Sequence, residues 1–332
     1  MGTIAYIAHD GCSVQMRTLR ANPVDGIWGL SEPTTVPEID ASPSNPIVQL
    51  AWSDTDRPHL AVIDYHGCVD IFSFGQALNS PVLRHDRRLD TMAHYGGVVA
   101  CHWLQPAPLE ASNPRFASCG PFHPLPGRSA FVYMTEAGVI KMLWMHRDYS
   151  FRLATHRPDG INKLTAVEHA SFCGHDSKFH PTLARFRGLN VADVLWGAIV
   201  CERRLYTLEV HIQWGTSSPD GNQTLGEPEL APIIKARVRL DTTFGCRTDS
   251  YLSRIQWIPT LISGTAGATL APMQLLLVYR LRFGISGHIP GGVEIQWLDL
   301  KAEDAVSPYT WSNQWQWLCT NNCVNNCADE EV

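Results

Sequence analysis

Three cysteines near residue 320 offer the most obvious chemistry in this sequence, because thiolates bind metals. Cys319, Cys323 and Cys327 are four residues apart in the segment CTNNCVNNC, a spacing that would stack them on one face of a helix. Zinc sites generally use four ligands or paired Cys-x-x-Cys units, and no histidine lies near these thiols. We therefore predict no metal site here. The other cysteines occur singly and are expected to be buried free thiols: Cys12, Cys68, Cys101, Cys119, Cys173, Cys201 and Cys246.

Three pairs of adjacent His and Asp residues are candidates for acid–base chemistry. They are His9–Asp10, His85–Asp86 and His175–Asp176. Neighbouring side chains on an extended chain point to opposite faces, so we expect turn or loop residues rather than a site. The segment SSPDGNQTL at 217–225 resembles the Asp-box turn of sialidases, but no tryptophan closes it, and a Pro-Asp-Gly turn is expected. The motifs of serine hydrolases, nucleotide-binding proteins and zinc proteases are absent, and we predict no catalytic, cofactor-binding or metal-binding residue.

The charge pattern argues against nucleic-acid and membrane partners. Charged residues make up 17% of the chain, the formal net charge is -6, and the Lys and Arg groups are short and separated, so no phosphate-tracking surface is expected. Trp311, Trp315 and Trp317 are accordingly assigned to packing or to a protein contact rather than to base stacking. No apolar run approaches the length of a membrane helix, and no leader peptide is recognisable. These features predict a soluble intracellular chain.

The elements that would position any functional group form a repeated hairpin. The stretch LAVIDYHGCVDIFSF at 60–74 consists of two apolar runs around a turn. Similar hairpins occur at 5–19, 130–145 and 194–210, and a fifth pairs 274–279 with 292–300. In three hairpins a glycine closes the turn, where a positive φ is expected; these are Gly11, Gly67 and Gly138. The fourth hairpin has Arg203 and Arg204 instead, so its turn must differ.

Each of the last four hairpins follows another short run that ends in an aromatic residue, which makes three strands per unit. The aromatics are Trp52, Trp103, Phe172 and Trp257. Strands that are apolar on both faces need cover on both sides, and sheets stacked around an axis provide it. The sequence therefore predicts an all-β fold, a β-propeller with long loops, with blades near 1–20, 47–74, 98–146, 164–214 and 252–300. A β-sandwich is the structural alternative, and the 22 prolines disfavour long helices.

Five segments carry a resemblance to a known family. They are GTIAYIAHDGCSVQMRTLR at 2–20, DGIWGLSEPT at 25–34, LAWSDTDRPHLAVIDYHGCVDIFSF at 50–74, GPFHP at 120–124 and YTLEVHIQW at 206–214. In this order they resemble the fungal family of Mediator of RNA polymerase II transcription subunit 16. None of the segments is a catalytic motif, and the match depends on their number and order.

The resemblance implies a nuclear, non-enzymatic scaffold subunit of the Mediator tail module, with a WD-repeat-type propeller. In the family this propeller helps to hold other tail subunits, and so links DNA-bound activators to the RNA polymerase II machinery. The partners implied are other tail subunits and, directly or indirectly, transcriptional activators, with no direct nucleic-acid or membrane contact. No individual interface residue carries over, because the family has no short binding motif to place on this sequence.

The expected domain organisation is a propeller over 1–310 and a poorly ordered tail over 311–332. Family members usually have a further strand ahead of the piece equivalent to IAYIAHDG and a helical C-terminal region. Neither is recognisable here, so we expect an incomplete ring with an edge that a partner or another segment covers. The alternative function is a propeller hydrolase or lyase with its active site in the central channel, and direct nucleic-acid binding is a third hypothesis.

Overall fold

The structure is a computed structural model that describes most of the chain between residues 2 and 317. The described residues are 2–22, 24–53, 58–74, 81–84, 96–104, 121, 123–125, 127–158, 166–174, 194–202, 204–217, 229–243, 250–258, 273–281, 293–302 and 309–317. Every long regular element in these ranges is a β-strand. None of the described residues belongs to a helix that could span a membrane.

Twenty strands follow one another along the chain. In order they are β1 (Gly2–Ile7), β2 (Val14–Ala21), β3 (Trp28–Leu30), β4 (Thr34–Thr35), β5 (Ile47–Trp52), β6 (His59–Asp64), β7 (Val69–Phe74), β8 (Pro81–Arg84), β9 (Val98–Leu104), β10 (Ala130–Thr135), β11 (Ile140–Met145), β12 (Phe151–His156), β13 (His169–Gly174), β14 (Val194–Cys201), β15 (Arg204–Ser217), β16 (Glu229–Thr243), β17 (Ser250–Ile258), β18 (Met273–Leu281), β19 (Val293–Ala302) and β20 (Tyr309–Trp317). Their sequences are rich in β-branched and aromatic residues, as strands are expected to be.

The strands form five antiparallel sheets of four strands, each built from consecutive segments of chain. Sheet 1 contains β1–β4, sheet 2 contains β5–β8, sheet 3 contains β9–β12, sheet 4 contains β13–β16 and sheet 5 contains β17–β20. In sheets 2 to 5 the strands lie side by side in chain order. In sheet 1, β3 and β4 both pair with β2, and β1 pairs with β2 alone among the described strands. The predicted all-β fold is therefore confirmed. The described strands form five sheets, whereas the β-sandwich considered as the alternative has two.

The hydrophobic core lies between consecutive sheets rather than within one of them. Val14 of sheet 1 packs with Leu60 and Phe72 of sheet 2. Ile63 packs with Phe131 across the next interface. Further clusters join sheet 3 to sheet 4, around Met142 and Leu208, and sheet 4 to sheet 5, around Trp196 and Leu275. Each fully buried aliphatic side chain contributes about 1.5–3 kcal/mol relative to an exposed one, so every sheet is stabilised by its neighbours.

The first strands of sheets 2 to 5 lie next to one another in order, β5 beside β9, β9 beside β13 and β13 beside β17, and β1 lies beside β5. This order is the blade arrangement of a β-propeller, in which the first strands surround the axis. Among the described residues, no packing of comparable extent joins sheet 5 back to sheet 1. The described residues therefore do not close the ring between these two sheets, and an incomplete ring stays a prediction.

The hairpin turns have the expected backbone geometry. The three turn glycines have positive φ, 68° at Gly11, 82° at Gly67 and 71° at Gly138. In the fourth hairpin, Glu202 has a positive φ of 47° without being glycine. A residue with a Cβ adopts this left-handed conformation only at a steric cost. The fourth turn therefore differs from the three glycine turns, as expected.

Sheets 2 to 5 each have one more strand than the sequence predicted, and these outer strands are β8, β12, β16 and β20. Sheet 1 has two short strands, β3 and β4, beyond its predicted hairpin. Strand β20 crosses the boundary that the sequence placed at residue 310, and it pairs with β19 through residues 309–317. Residues 318–332 lie outside the described part, and the division into propeller and tail stays a prediction.

Candidate protein-binding surface

Asp10 is the only carboxylate of the predicted His-Asp pairs that lies within the described residues, and it acts as a turn residue. Its Oδ1 accepts hydrogen bonds from the backbone N–H groups of Cys12, at 2.9 Å, and Ser13, at 3.1 Å. The bond from Cys12 is the main reason that the pKa of Asp10 lies below its usual value. The other two His-Asp pairs, residues 218–225 of the Asp-box-like segment, and Cys319, Cys323 and Cys327 lie outside the described residues.

The expectation of free cysteines holds for the described residues, but the expectation of full burial does not. Cys12, Cys68, Cys101, Cys173 and Cys201 are free, and Cys201 alone of these is fully buried. Burial raises the pKa of Cys101 to about 12 and, together with nearby Glu168, the pKa of Cys201 to about 11. Cys119 and Cys246 lie outside the described residues. Within those residues there is no group of three or more His, Cys, Asp and Glu side chains arranged to hold a metal ion.

Several histidines join neighbouring sheets. His169 on β13 donates from Nε2 to the carbonyl oxygen of Leu252 on β17, at 3.0 Å, and burial lowers its pKa. His156 on β12 accepts the backbone N–H of Ala236 on β16 at its Nε2, at 3.1 Å. These two imidazoles therefore form hydrogen bonds between neighbouring sheets. The described parts of the first strands β5, β9, β13 and β17 contain no Asp or Glu.

His123 is a further structural histidine. Its side chain is fully buried, and its ring lies 4.7 Å from that of Trp214. Nε2 donates to the carbonyl oxygen of Met145, at 3.1 Å, and Nδ1 lies 3.1 Å from the backbone nitrogen and 3.3 Å from the carbonyl oxygen of Leu125. Burial lowers the pKa of His123 to about 4, the charge of Arg128 acts in the same direction, and the contacts with the carbonyl oxygens of Leu125 and Met145 oppose them.

Backbone hydrogen bonds tie the hairpin turns into a band at one end of the sheets. Ile47 donates to the carbonyl oxygen of Gly11, at 2.8 Å, which links sheet 2 to the turn of sheet 1. Glu136 accepts from Val167, at 2.8 Å, which links sheet 3 to the entry of sheet 4. Glu168 Oε1 then accepts the N–H of Glu202 within sheet 4, at 3.2 Å. These hydrogen bonds connect sheet 1 to sheet 2, and sheet 3 to sheet 4, at the end where the hairpin turns lie.

The largest exposed apolar group of the described residues lies on the outer side of sheet 1. We call Val24, Ile27, Trp28 and Leu30 the apolar ribbon. Val24 is 91% exposed, Ile27 67% and Trp28 61%. The ribbon follows the β2–β3 turn and the three-residue strand β3. Soluble proteins rarely leave several large apolar side chains together in water unless the patch binds something.

The β2–β3 turn holds the ribbon in one conformation. The N–H of Asn22 donates to the carbonyl oxygen of Ile27, at 2.8 Å, and Gly26 donates back to Asn22, at 2.9 Å. Asp25 Oδ1 accepts the N–H of Ile27, at 2.9 Å, and Gly26 has a φ of 72° that suits glycine. A preorganised turn reduces the entropy lost on binding.

The sequence did not single out these residues as a site. One signal was present: the segment VDGIWGL at 24–30 places apolar residues around an Asp-Gly turn without a second apolar run of similar length beside it. Residue types alone do not distinguish such a segment from a buried strand, which is why exposure had to come from the structure.

The fold and the apolar ribbon together define an all-β protein of the β-propeller class with a candidate surface for contact with another protein. The chain is similar to three curated proteins named Mediator of RNA polymerase II transcription subunit 16, from Aspergillus clavatus, Neosartorya fischeri and Aspergillus fumigatus. Each is 34% identical over 185 residues, which covers 47% of this chain. The resemblance read from the sequence is thereby confirmed.

The chain matches only 19% of the length of each of these three proteins. No family model matches the chain.

Proposed function

We propose that this protein is a non-enzymatic scaffold subunit of the Mediator tail module. In this role it acts in the nucleus, binds other Mediator subunits and relays transcriptional activators to RNA polymerase II. The observation that carries the proposal is the 34% identity, over 185 residues, to three proteins named as Mediator subunit 16. The array of blades and the exposed apolar ribbon are consistent with a subunit that works through surface contacts.

The apolar ribbon is the proposed contact with another Mediator subunit. Trp28 supplies a large, stiff apolar surface with one N–H donor, the side-chain type most often found at the energetic centre of protein interfaces. Val24, Ile27 and Leu30 lie in the same turn and strand and are also exposed, so they would add apolar area to the contact. Because the turn is already closed by its own hydrogen bonds, little ordering is needed on association.

The test is purification of the tagged chain from nuclear extract of its own organism, followed by identification of the proteins that co-purify. Other Mediator subunits should be recovered with the wild-type chain. Trp28→Ala should reduce their recovery by about tenfold or more, since central aromatic anchors contribute about 2 kcal/mol or more to binding.

Tyr65→Ala is the matched control. Tyr65 is also an aromatic residue with 61% exposure, but it lies in the β6–β7 turn, away from the ribbon. This variant should recover the same subunits as the wild type. Recovery of no Mediator subunit by the wild-type chain would contradict the proposed function, whereas equal recovery by Trp28→Ala and the wild type would reject only the ribbon as the contact.

A further inference from the structure

The turn between β11 and β12 holds a tyrosine where an equivalent turn of the same sheet holds a glycine. In the β10–β11 turn, Gly138 donates its N–H to the carbonyl oxygen of Thr135, at 2.8 Å. In the β11–β12 turn, Tyr149 donates in the same way to His146, at 3.1 Å. Thr135 and His146 each donate their own N–H to the residue four positions later, at 3.0 Å and 2.8 Å. Tyr149 therefore occupies the position that Gly138 has in its turn.

The backbone of Tyr149 has the left-handed conformation that this position requires. Its φ is 65°, compared with 71° at Gly138 and 82° at Gly67, which makes the same hydrogen bond in the β6–β7 turn. Glycine adopts this conformation without a clash, whereas a Cβ meets the following carbonyl oxygen. Non-glycine residues held in such conformations are found most often at functional sites. The tyrosine thus carries a backbone cost that a glycine would avoid.

A guanidinium group holds the side chain of Tyr149, which is nevertheless exposed. Cζ of Arg128 lies 3.6 Å from the centre of the tyrosine ring. Arg128 is itself fixed, because Nε donates to the carbonyl oxygen of His146, at 3.2 Å, and Nη2 donates to that of Arg147, at 3.1 Å. Tyr149 is still 44% exposed. Since Arg128 covers one face of the ring, the exposed area belongs to the remaining parts of the side chain.

A carboxylate inside the turn keeps its backbone in one conformation. Asp148 Oδ1 accepts the hydroxyl and the N–H of Ser150, at 2.6 Å and 3.0 Å, and lies 3.3 Å from Nδ1 of His146. The hydrogen bonds from Ser150 are the main reason that the pKa of Asp148 is lowered to about 2. The turn is therefore organised before anything binds to it, which reduces the entropy lost on association.

The turn has an excess of positive charge on a chain that is negative overall. Arg128 and Arg147 contribute two guanidinium groups, and Asp148, whose Oδ1 is engaged within the turn, contributes one carboxylate. The side chain of Arg147 is exposed. The formal net charge of the chain is -6, so this aromatic and positive turn differs from the average surface. Guanidinium groups bind carboxylates through charge-assisted hydrogen bonds.

From these contacts we infer that the β11–β12 turn binds a short acidic segment of a partner polypeptide. Carboxylates of the segment pair with Arg147 and Arg128, and an apolar side chain beside them packs on the ring of Tyr149. Tyrosine and arginine are among the residues most often found at the energetic centre of interfaces. Binding through the tyrosine ring explains a side chain that folding alone would not favour at this position. The inference goes beyond the proposed function and does not depend on it.

A nucleic acid is the other polyanion that an arginine and tyrosine pair can contact. It is bound through a series of Lys and Arg side chains that follow successive phosphates. The β11–β12 turn offers two such side chains, Arg128 and Arg147, which suits a short peptide better than a phosphate backbone. An oligonucleotide therefore serves as the competing ligand in the test.

The probe is a fluorescein-labelled peptide with the sequence EDDFDDLDE, whose binding to the complete chain is measured by fluorescence anisotropy. It should bind saturably, and several-fold more weakly at about 200 mM than at about 50 mM salt, because exposed ion pairs are screened. The uncharged peptide QNNFNNLNQ has nearly the same shape and should bind at least about tenfold more weakly. A labelled oligonucleotide of nine thymidines should not bind.

Tyr149→Gly supplies the residue type of the equivalent turn and removes the ring. It should weaken binding of the acidic peptide about tenfold or more. Its melting temperature should stay within about 3 °C of the wild type, because relief of the backbone strain offsets the lost contact with Arg128. Arg147→Gln should weaken binding about two- to fivefold, the effect of one exposed ion pair. Tyr65→Ala removes an exposed tyrosine of the β6–β7 turn and should bind as the wild type does.

Several results would overturn the inference. They are the absence of saturable binding, equal binding of the charged and uncharged peptides, tighter binding of the oligonucleotide than of the acidic peptide, and wild-type affinity in Tyr149→Gly. A loss of more than about 3 °C in the melting temperature of Tyr149→Gly would also overturn it, because the tyrosine would then serve folding. Recovery of Mediator subunits from nuclear extract tests the proposed function separately from all of these results.

Discussion

Gly67 lies against the carbonyl oxygen of Gly96, so closely that a Cβ on Gly67 would overlap with that oxygen. The two glycines connect the β6–β7 turn of sheet 2 to the segment that enters β9 of sheet 3. Gly67 also needs its positive φ of 82° to close the turn. One position therefore combines a backbone conformation and a close approach that only glycine permits.

Gly67→Ala should destabilise the protein by about 3 kcal/mol or more, because the added methyl group meets backbone that cannot move without disturbing both sheets. Gly11→Ala is the matched control: it has a φ of 68° in the equivalent turn, and its Cβ would be in ordinary contact, 3.4 Å from Pro46. This variant should cost only about 1 kcal/mol. Urea denaturation measures both, and equal losses would show that the approach to Gly96 has no energetic importance.

The inner three strands of sheets 2 to 5 could be predicted from the sequence, and the reason is physical. Strands such as β10 and β14 are apolar on both faces because a sheet covers each face, and this continuous apolar character is visible in the residues. The turn glycines mark where each hairpin reverses. The outer strand β12 gives no such signal, because it has the mixed sequence FRLATH and only Phe151 is fully buried.

The candidate site could not be predicted from the sequence, since it depends on which side chains the fold leaves exposed. Trp28 is exposed and Trp103 is almost fully buried, yet both lie in short apolar runs. Trp52, Trp103 and Trp257 form one series in the sequence, and the structure shows that the indoles of Trp103 and Trp257 have an acceptor, whereas that of Trp52 has none among the described residues. The sequence shows which residues can form a hydrogen bond or an apolar contact, whereas the structure shows which of them do so.

Asn45 should be important for stability because it satisfies a buried carboxylate. Its Nδ2 donates to Oδ2 of Asp64, at 2.7 Å, and its Oδ1 accepts the N–H of His66, at 3.2 Å. Asp64 is only 2% exposed, so the loss of this donor should cost about 1.5–3 kcal/mol in Asn45→Ala. Asn22→Ala removes a comparable amide–backbone bond in an exposed turn and should cost less than about 1 kcal/mol. Thermal and urea unfolding of the two variants would contradict this account if their losses were the same.

Stability should fall as the pH falls from about 6.5 to about 4. Burial lowers the pKa of both His102 and His123 to about 4, so both are neutral in the folded protein over this range, while the unfolded chain binds a proton at each. The unfolded state therefore binds more protons, and the free energy of unfolding decreases by about 1.4 kcal/mol per pH unit for each histidine. Above about pH 6.5 neither group contributes to a slope.

His123→Gln isolates one of these two contributions. The variant should be less stable near neutral pH, because Gln does not reproduce both imidazole hydrogen bonds, but its stability should depend less steeply on pH by about 1.4 kcal/mol per unit between about 4 and 6.5. Val48→Ala replaces an exposed residue that does not titrate and should keep the wild-type slope. The measurement is urea unfolding at half-unit pH intervals. An unchanged slope in His123→Gln would mean that His123 is protonated in the folded protein over this range, and would contradict the lowering of its pKa by burial.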